Sequence, residues 1–150
     1  MEEKDFALRL TLEHGYRMSV DFGDDLPGMH IDEAAPLGGD TGPNPARVLG
    51  SAVGGCLGAS LLFCMRRAHI DVTGMGVDVT GRVVRNDRGR WRVQSIRVRL
   101  QPEMPEDQRG RLARCISVFE DYCIVSESVR RGIPIEIEVE PAPLIATTPT

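Results

Sequence analysis

The sequence predicts an α+β fold whose elements follow the order β-β-α-β-β-α-β. Several segments alternate apolar and polar residues with a period of two, as half-buried strands do. Two longer segments open with helix start signals. The strands also come in adjacent pairs, which favours antiparallel pairing. A length of 150 residues corresponds to one domain, so we expect a single domain over residues 1–150.

The first predicted element is a hairpin over residues 6–22, with its turn at His14-Gly15 and one face buried. The alternating apolar residues are Phe6, Leu8, Leu10 and Leu12 before the turn, and Tyr16, Met18, Val20 and Phe22 after it. Residues 23–44 are rich in Gly, Pro and Asp and predict a long loop with a short strand near Met29 to Ile31. A connection of this length is uncommon unless it is functional, so the loop is a candidate active-site wall.

The first helix is predicted from Pro45 to Ala68. Asn44 is suited to the N-cap and Pro45 to the first helical position, where a missing N–H has no cost. The stretch from Val48 to Met65 carries no charge and would be about 27 Å long as a helix, near the lower limit for a membrane span. Half of its residues are small and no second apolar run accompanies it, so we predict a buried, closely packed helix and no membrane partner.

The second half of the chain predicts two strands, two helices and a last strand. The strands are Gly76 to Arg85 and Trp91 to Leu100, joined by a turn at residues 86–89, with an irregularity near Val83-Val84 and Ser95-Ile96. A helix from Pro105 to about Tyr122 follows, then a short helix capped by Ser126 that ends before Gly132, and a strand from Ile133 to Glu140. Residues 141–150 are expected to be a loosely ordered tail.

Composition and charge exclude several function classes. The net charge is −4, which argues against recognition of nucleic acid or an acidic membrane by bulk electrostatics. The arginines of the predicted strand pair alternate with apolar residues, which is typical of a solvated sheet face rather than a nucleic-acid site. The N-terminus lacks the pattern of a secretion signal, so a cytoplasmic location is expected.

The four cysteines are the candidate functional residues. In a reducing cytosol a cysteine pair that oxidises is usually transient, in catalysis or sensing. Cys56 and Cys64 are eight positions apart, as are Cys115 and Cys123, and about 12 Å along a helix is too far for either pair to form a disulfide. Cys64 and Cys115 are interpreted as buried core residues, whereas spacing alone leaves Cys56 and Cys123 as either core residues or reactive thiols.

No metal site or cofactor is predicted. The cysteines form no CxxC pair, and the three histidines, His14, His30 and His69, are scattered along the chain. A reactive Cys56 would need a cation from elsewhere, because it lies well beyond the first turn of its predicted helix.

Two segments resemble the OsmC/Ohr family of thiol-dependent hydroperoxide reductases. They are GPNPARVLGSAVGGCLGASLLF and YCIVSESVRRGIPIEIEVE, and with the element order the resemblance covers roughly residues 5 to 140. It implies an OsmC-like fold of antiparallel sheets packed on two central helices in an intertwined homodimer. It also implies that Cys56 is the peroxidatic cysteine and Cys123 the resolving one, with a sulfenic acid, then a disulfide, then reduction by an external dithiol.

The resemblance further implies that Arg17 stabilises the thiolate. Members of the hydroperoxide-resistance type carry a glutamate directly after Asn-Pro that pairs with this arginine, whereas this sequence has Ala46 there. Asp32 or Glu33 in the long loop could supply the missing carboxylate. Because of Ala46, the alternative is a non-catalytic protein on the same scaffold that senses oxidants or binds a small apolar ligand.

Overall fold

Residues 2–143 are described by the structure, a computed structural model. The strands are β1 (Arg9–His14), β2 (Arg17–Asp21), β3 (Met29–Ile31), β4 (Gly74–Arg85) and β5 (Trp91–Glu103), and the helices are α1 (Pro45–Arg67), α2 (Arg109–Val118) and α3 (Ile124–Arg131). Two 3-10 turns, Glu106–Gln108 and Phe119–Tyr122, flank α2. The predicted α+β class is confirmed.

The strands form two separate antiparallel sheets. In the first, β2 lies between β1 and β3, and Val20 is opposite both Leu10 and Met29. In the second, β4 and β5 form a long hairpin whose register shifts between Arg82 and Val83. This shift confirms the predicted irregularity near Val83-Val84 and increases the local twist of the hairpin.

Helix α1 lies against the β4–β5 hairpin and begins as predicted. The Asn44 side chain accepts a hydrogen bond from the Arg47 N–H at 2.9 Å, and Pro45 occupies the first turn. A Cβ atom at Gly54 would lie 2.5 Å from Val79 Cγ2, whereas at Gly55 it would meet nothing within 4 Å. Gly54 therefore permits the close approach of α1 to β4, and Gly55 faces away from the strand.

The hydrophobic core lies between α1 and the chain segment from α2 to α3. Met65 is fully buried, and Cys115 and Cys123 are each 1% exposed. Around them pack Val53, Leu57, Leu61, Ile70 and Phe119. Two of the four cysteines are thus among the most deeply buried residues of the described chain.

The predicted helix from Pro105 to Tyr122 is wrong in its extent. The helical conformation is lost at Val118, where φ is −129°, and the chain continues as a 3-10 turn to Tyr122. The N-cap of α3 is Cys123 rather than the predicted Ser126, because the Ser126 N–H donates to the Cys123 sulfur. The change of direction at Val118 is what places Cys123 at a helix start.

The predicted last strand, Ile133 to Glu140, does not form within residues 2–143. The segment has no regular structure, and Ile135 and Ile137 are each 81% exposed. A strand needs a neighbouring edge that satisfies its backbone groups, and no edge of the described chain lies beside this segment. Of the predicted tail, residues 144–150 lie outside the described residues.

Helix α1 is long and apolar enough to cross a membrane by length and composition, and 44% of its most apolar window is buried within the described chain. Core helices of soluble proteins share these properties, so one such helix is weak evidence for a span.

Candidate active site

The thiols of Cys56 and Cys123 lie close enough to shift each other's pKa, although the two residues belong to different elements. Helix α1 presents Cys56 half-buried near its middle, and the 3-10 turn after α2 delivers Cys123 to the same place. The two cysteines that the sequence singled out are therefore adjacent. Their sulfur atoms are placed for thiol–disulfide chemistry.

The N-terminus of α3 faces both sulfur atoms. The Ser126 N–H donates to Cys123 Sγ at 3.4 Å, and the Ile124 and Val125 N–H groups act to lower the pKa of Cys56. These N–H groups have no partner inside the helix, and they carry the positive end of its dipole. A negative charge shared by the two sulfurs is stabilised here by backbone groups.

The two thiols differ in acidity. Burial raises the pKa of Cys123, but hydrogen bonds from Ser126 and Cys56 more than offset it, so the pKa lies below its usual value. Burial raises the pKa of Cys56, and the hydrogen bond that its thiol makes with Cys123 raises it further. The first proton lost from the pair is therefore that of Cys123, with Cys56 as the hydrogen-bond donor.

Arg17 is held by a carboxylate that the sequence did not single out. Its Nε donates to Glu13 Oε2 at 2.7 Å, and His30 Nδ1 lies 3.0 Å from the same oxygen. The hydrogen bond from Arg17 and the neighbouring His30 lower the pKa of Glu13. Glu13 and Arg17 flank the β1–β2 turn four positions apart, and that spacing was the signal in the sequence.

Asp32 and Glu33 do not hold Arg17, contrary to the expectation. The buried Asp32 carboxylate accepts the Thr41 hydroxyl at 2.7 Å, and backbone N–H groups of Glu33, Gly39 and Thr41. The hydroxyl bond and these N–H bonds outweigh burial and lower the pKa of Asp32. Asp32 thus fixes the shape of the long loop, a structural task.

The described chain does not bring Arg17 to Cys56. Within residues 2–143 the sheet of β1, β2 and β3 packs against neither α1 nor α3, so Arg17 and the cysteine pair belong to separate parts of the chain. A groove of about 580 Å³ runs between α1 and the β4–β5 hairpin, and Ala46 and Arg47 line one end of it. Of residues 23–44, predicted as a candidate active-site wall, Asn44 alone is among the residues that line this groove.

In the part of the chain that the structure describes, no group of three or more His, Cys, Asp or Glu side chains is placed to hold a metal ion.

Comparisons with known proteins were made for sequence and for fold. Residues 38–138 match the profile of the OsmC-like protein family, and no curated protein sequence matches the chain. An OsmC-like protein from Mycoplasma pneumoniae has a similar structure at 16% identity, with a TM-score of 0.72 over 86% of this chain and 89% of that one. An OsmC-like protein of unknown function from Vibrio cholerae gives 14% identity and a TM-score of 0.71 over 84% of this chain and 94% of that one.

A third similar structure is an organic hydroperoxide resistance protein from Legionella pneumophila. It is 11% identical, with a TM-score of 0.64 over 87% of this chain and 92% of that one. At these identities the likeness concerns the fold, and it confirms the antiparallel α+β architecture that the sequence predicts.

Proposed function

The chain belongs to the OsmC-like protein family, and from this membership and the paired thiols we propose that it is a thiol-dependent peroxidase that reduces organic or inorganic hydroperoxides. The observation that carries the proposal is the contact between the Cys56 and Cys123 thiols at the N-terminus of α3. No cofactor is needed, because the two thiols supply both electrons. Such an enzyme would serve an oxidative stress response in the cytoplasm.

Exposure and acidity assign different roles to the two thiols. Cys56 is half-buried and Cys123 is 1% exposed, so a peroxide reaches Cys56. The Cys123 thiolate takes the proton of Cys56, and the Cys56 thiolate attacks the outer peroxide oxygen. The O–O bond breaks, the alcohol leaves with a proton, and Cys56 becomes a sulfenic acid.

The second step closes the disulfide. The Cys123 sulfur attacks the Cys56 sulfenic sulfur, the S–S bond forms, and water leaves. An external dithiol then reduces the disulfide by exchange and restores both thiols. One hydroperoxide is reduced to an alcohol and water for each dithiol oxidised.

We propose that a second copy of the chain completes the site as part of an intertwined homodimer. The apolar residues of the unpaired C-terminal segment are exposed, and the first sheet is left without contact to the helices. The first sheet and the C-terminal segment would both gain packing partners if each packed against the other copy of the chain. In that arrangement the Arg17 of one copy is the cation for the Cys56 of the other.

Counting thiols tests the proposal. In the Cys64→Ser/Cys115→Ser variant, treatment with an alkyl hydroperoxide should remove both remaining thiols, those of Cys56 and Cys123. Retention of all four thiols in the unaltered protein would contradict the proposal.

A second candidate function is a redox sensor or a small apolar ligand-binding protein on the same scaffold. The groove of about 580 Å³ beside α1 favours it, because Val77, Val79 and Ile96 give it apolar walls. Turnover separates the two functions. With excess dithiol, a peroxidase consumes many equivalents of hydroperoxide per chain, whereas a sensor is oxidised once.

A further inference from the structure

A second pair of thiols lies in contact outside the proposed site. Cys64 of α1 packs against the core cluster that contains Cys115 of α2, and it lies close enough to raise the pKa of Cys115. The sequence predicted both residues as packing, and Cys115 is indeed buried, at 1% exposure. Cys64 is half-buried, and both sulfurs are free thiols. The core of the described chain therefore holds two dithiols.

Cys56 and Cys64 cannot form a disulfide with each other. They are separated by about 12 Å along α1, roughly twice the distance between Cα atoms that a disulfide spans. A disulfide that contains Cys64 therefore needs a partner on another element.

Solvent reaches Cys64 through a small cavity. The cavity holds about 380 Å³ and is lined by Phe63, Cys64, Arg67, Val118 and Tyr122. The Phe63 and Tyr122 rings lie 6.1 Å apart, and the Arg67 guanidinium lies 5.8 Å from the centre of the Phe63 ring. Apolar walls with an arginine at the rim suit an apolar hydroperoxide whose leaving oxygen becomes negative.

We propose that Cys64 and Cys115 form a second redox site, in which a hydroperoxide oxidises Cys64 and Cys115 closes an intramolecular disulfide. The Cys64 thiolate attacks the outer oxygen, the O–O bond breaks, and the alcohol leaves with a proton. The Cys115 thiol then attacks the sulfenic sulfur, so that the S–S bond forms and water is released. Two electrons pass from the dithiol to the hydroperoxide.

The environment of the pair fixes the order of events. Burial and, to a smaller extent, the neighbouring Cys64 raise the pKa of Cys115 to about 11. Cys115 therefore keeps its proton and donates to Cys64, which faces the cavity. Cys64 is the sulfur that meets the oxidant, and Cys115 resolves it.

Peptide mapping tests the proposal in the Cys56→Ser/Cys123→Ser variant. Trypsin cleaves after Arg47, Arg66, Arg114 and Arg130, so residues 48–66 and 115–130 each carry one cysteine of both pairs. In the unaltered protein either disulfide would link the same two peptides. In the double variant, a link between them after treatment with cumene hydroperoxide comes from Cys64 and Cys115 alone.

The expected result is loss of both remaining thiols and appearance of the linked peptides, about tenfold more slowly when Arg67→Ala is added. In the triple variant with Cys64→Ser, Cys115 should keep its thiol, because it is buried. Survival of both thiols, or a link only between two chains, would overturn the proposal. Far-ultraviolet circular dichroism confirms folding, and the corresponding double alanine variant replaces the serine variant if the latter is unfolded.

Failure here is distinguishable from failure of the proposed function. The Cys64→Ser/Cys115→Ser variant reports only on Cys56 and Cys123, and the Cys56→Ser/Cys123→Ser variant reports only on the second pair.

Discussion

At the residue scale, Cys56 and Cys123 differ in what their surroundings give to the sulfur atom. Cys123 caps α3, and its sulfur accepts a hydrogen bond from the Ser126 N–H. The pKa of the neighbouring Cys56 thiol is raised, so this thiol keeps its proton. In the proposed mechanism, reactivity at Cys56 depends on a neighbour that takes its proton and on a cation that stabilises the resulting charge. Each requirement can be tested by substitution of a single residue.

Thiolate formation should occur in two steps in the Cys64→Ser/Cys115→Ser variant. The pKa of Cys123 is lowered from an ordinary value of 9.0 and that of Cys56 is raised, so one thiolate forms below that pH and the second above it. In Cys56→Ala, Cys123 loses a hydrogen-bond donor and its step should move to higher pH. The ultraviolet absorbance of the thiolate measures both, and a single two-proton step at 9.0 would contradict the assignment.

Arg17→Ala should slow oxidation of Cys56. Loss of a cation beside a thiolate raises its pKa, and each unit reduces the thiolate fraction about tenfold at neutral pH. Arg9→Ala, on the same sheet, serves as the matched control and should leave the rate unchanged. An unaltered rate in Arg17→Ala would remove Arg17 from the mechanism.

Glu13→Gln should give part of the Arg17→Ala effect, because Glu13 acts only by holding the guanidinium in place. The expected slowing is several-fold, and the variant should also change how the rate depends on salt. Stopped-flow measurement of thiol oxidation checks it. If the double variant with Arg17→Ala is slower than Arg17→Ala alone, Glu13 has another role.

At the element scale, α1 and the chain around α3 determine where the thiols lie. The Gly54 face of α1 approaches Val77 and Val79 of β4, which fixes the helix against the hairpin. The break at Val118 then turns the chain so that Cys123 starts a new helix. Helix α1 was predictable from Asn44-Pro45. No residue near Val118 signals a break in the second helix, so the sequence pattern favours Ser126, and not Cys123, as the N-cap of the last helix.

Gly54→Ala should destabilise the protein, whereas Gly55→Ala should not. A methyl group at Gly54 would overlap Val79, and overpacking of this kind costs about 1–3 kcal/mol. At Gly55 the methyl group meets no atom, and the gain in helix propensity is at most about 1 kcal/mol. Urea unfolding at one fixed protein concentration measures both, and equal midpoints would refute the packing assignment.

Oxidation of Cys64 and Cys115 should stabilise the fold. The disulfide would close a loop of about 50 residues and restrict the unfolded chain, an effect of about 4 kcal/mol in the chain-entropy treatment. The unfolding free energy of oxidised and reduced Cys56→Ser/Cys123→Ser can be compared directly. A lower value for the oxidised form would show that the bond distorts α1 and α2.

At the scale of the whole molecule, the described chain leaves two apolar surfaces exposed. One is on the sheet of β1, β2 and β3, and the other is on the segment that follows α3. The alternation from Ile133 to Glu140 predicts a strand. Such a pattern indicates which side chains are buried, but it does not indicate which chain they pack against. The same limit applies to Arg17, whose strand and turn were predictable while its distance from Cys56 was not. In the proposed homodimer a second copy completes these elements, which a pattern within one chain does not predict.

Ile137→Asp should convert the proposed homodimer to monomers. The residue is 81% exposed in the single chain, and a charge there would be buried without a partner in an exchanged strand pair. Glu138→Gln, on the opposite face of the alternation, is the control and should remain dimeric. Sedimentation equilibrium measures the mass, and a dimer in both variants would place the interface elsewhere.

The central claim is that Cys56 and Cys123 are a redox pair that one hydroperoxide molecule oxidises. Its most direct test is one equivalent of alkyl hydroperoxide added to reduced Cys64→Ser/Cys115→Ser, followed by tryptic mapping. The account predicts residues 48–66 linked to 115–130 within one chain, with no free thiol left. Two free thiols after the peroxide has been added, or Cys56 oxidised to a sulfinic acid while Cys123 stays reduced, would contradict it.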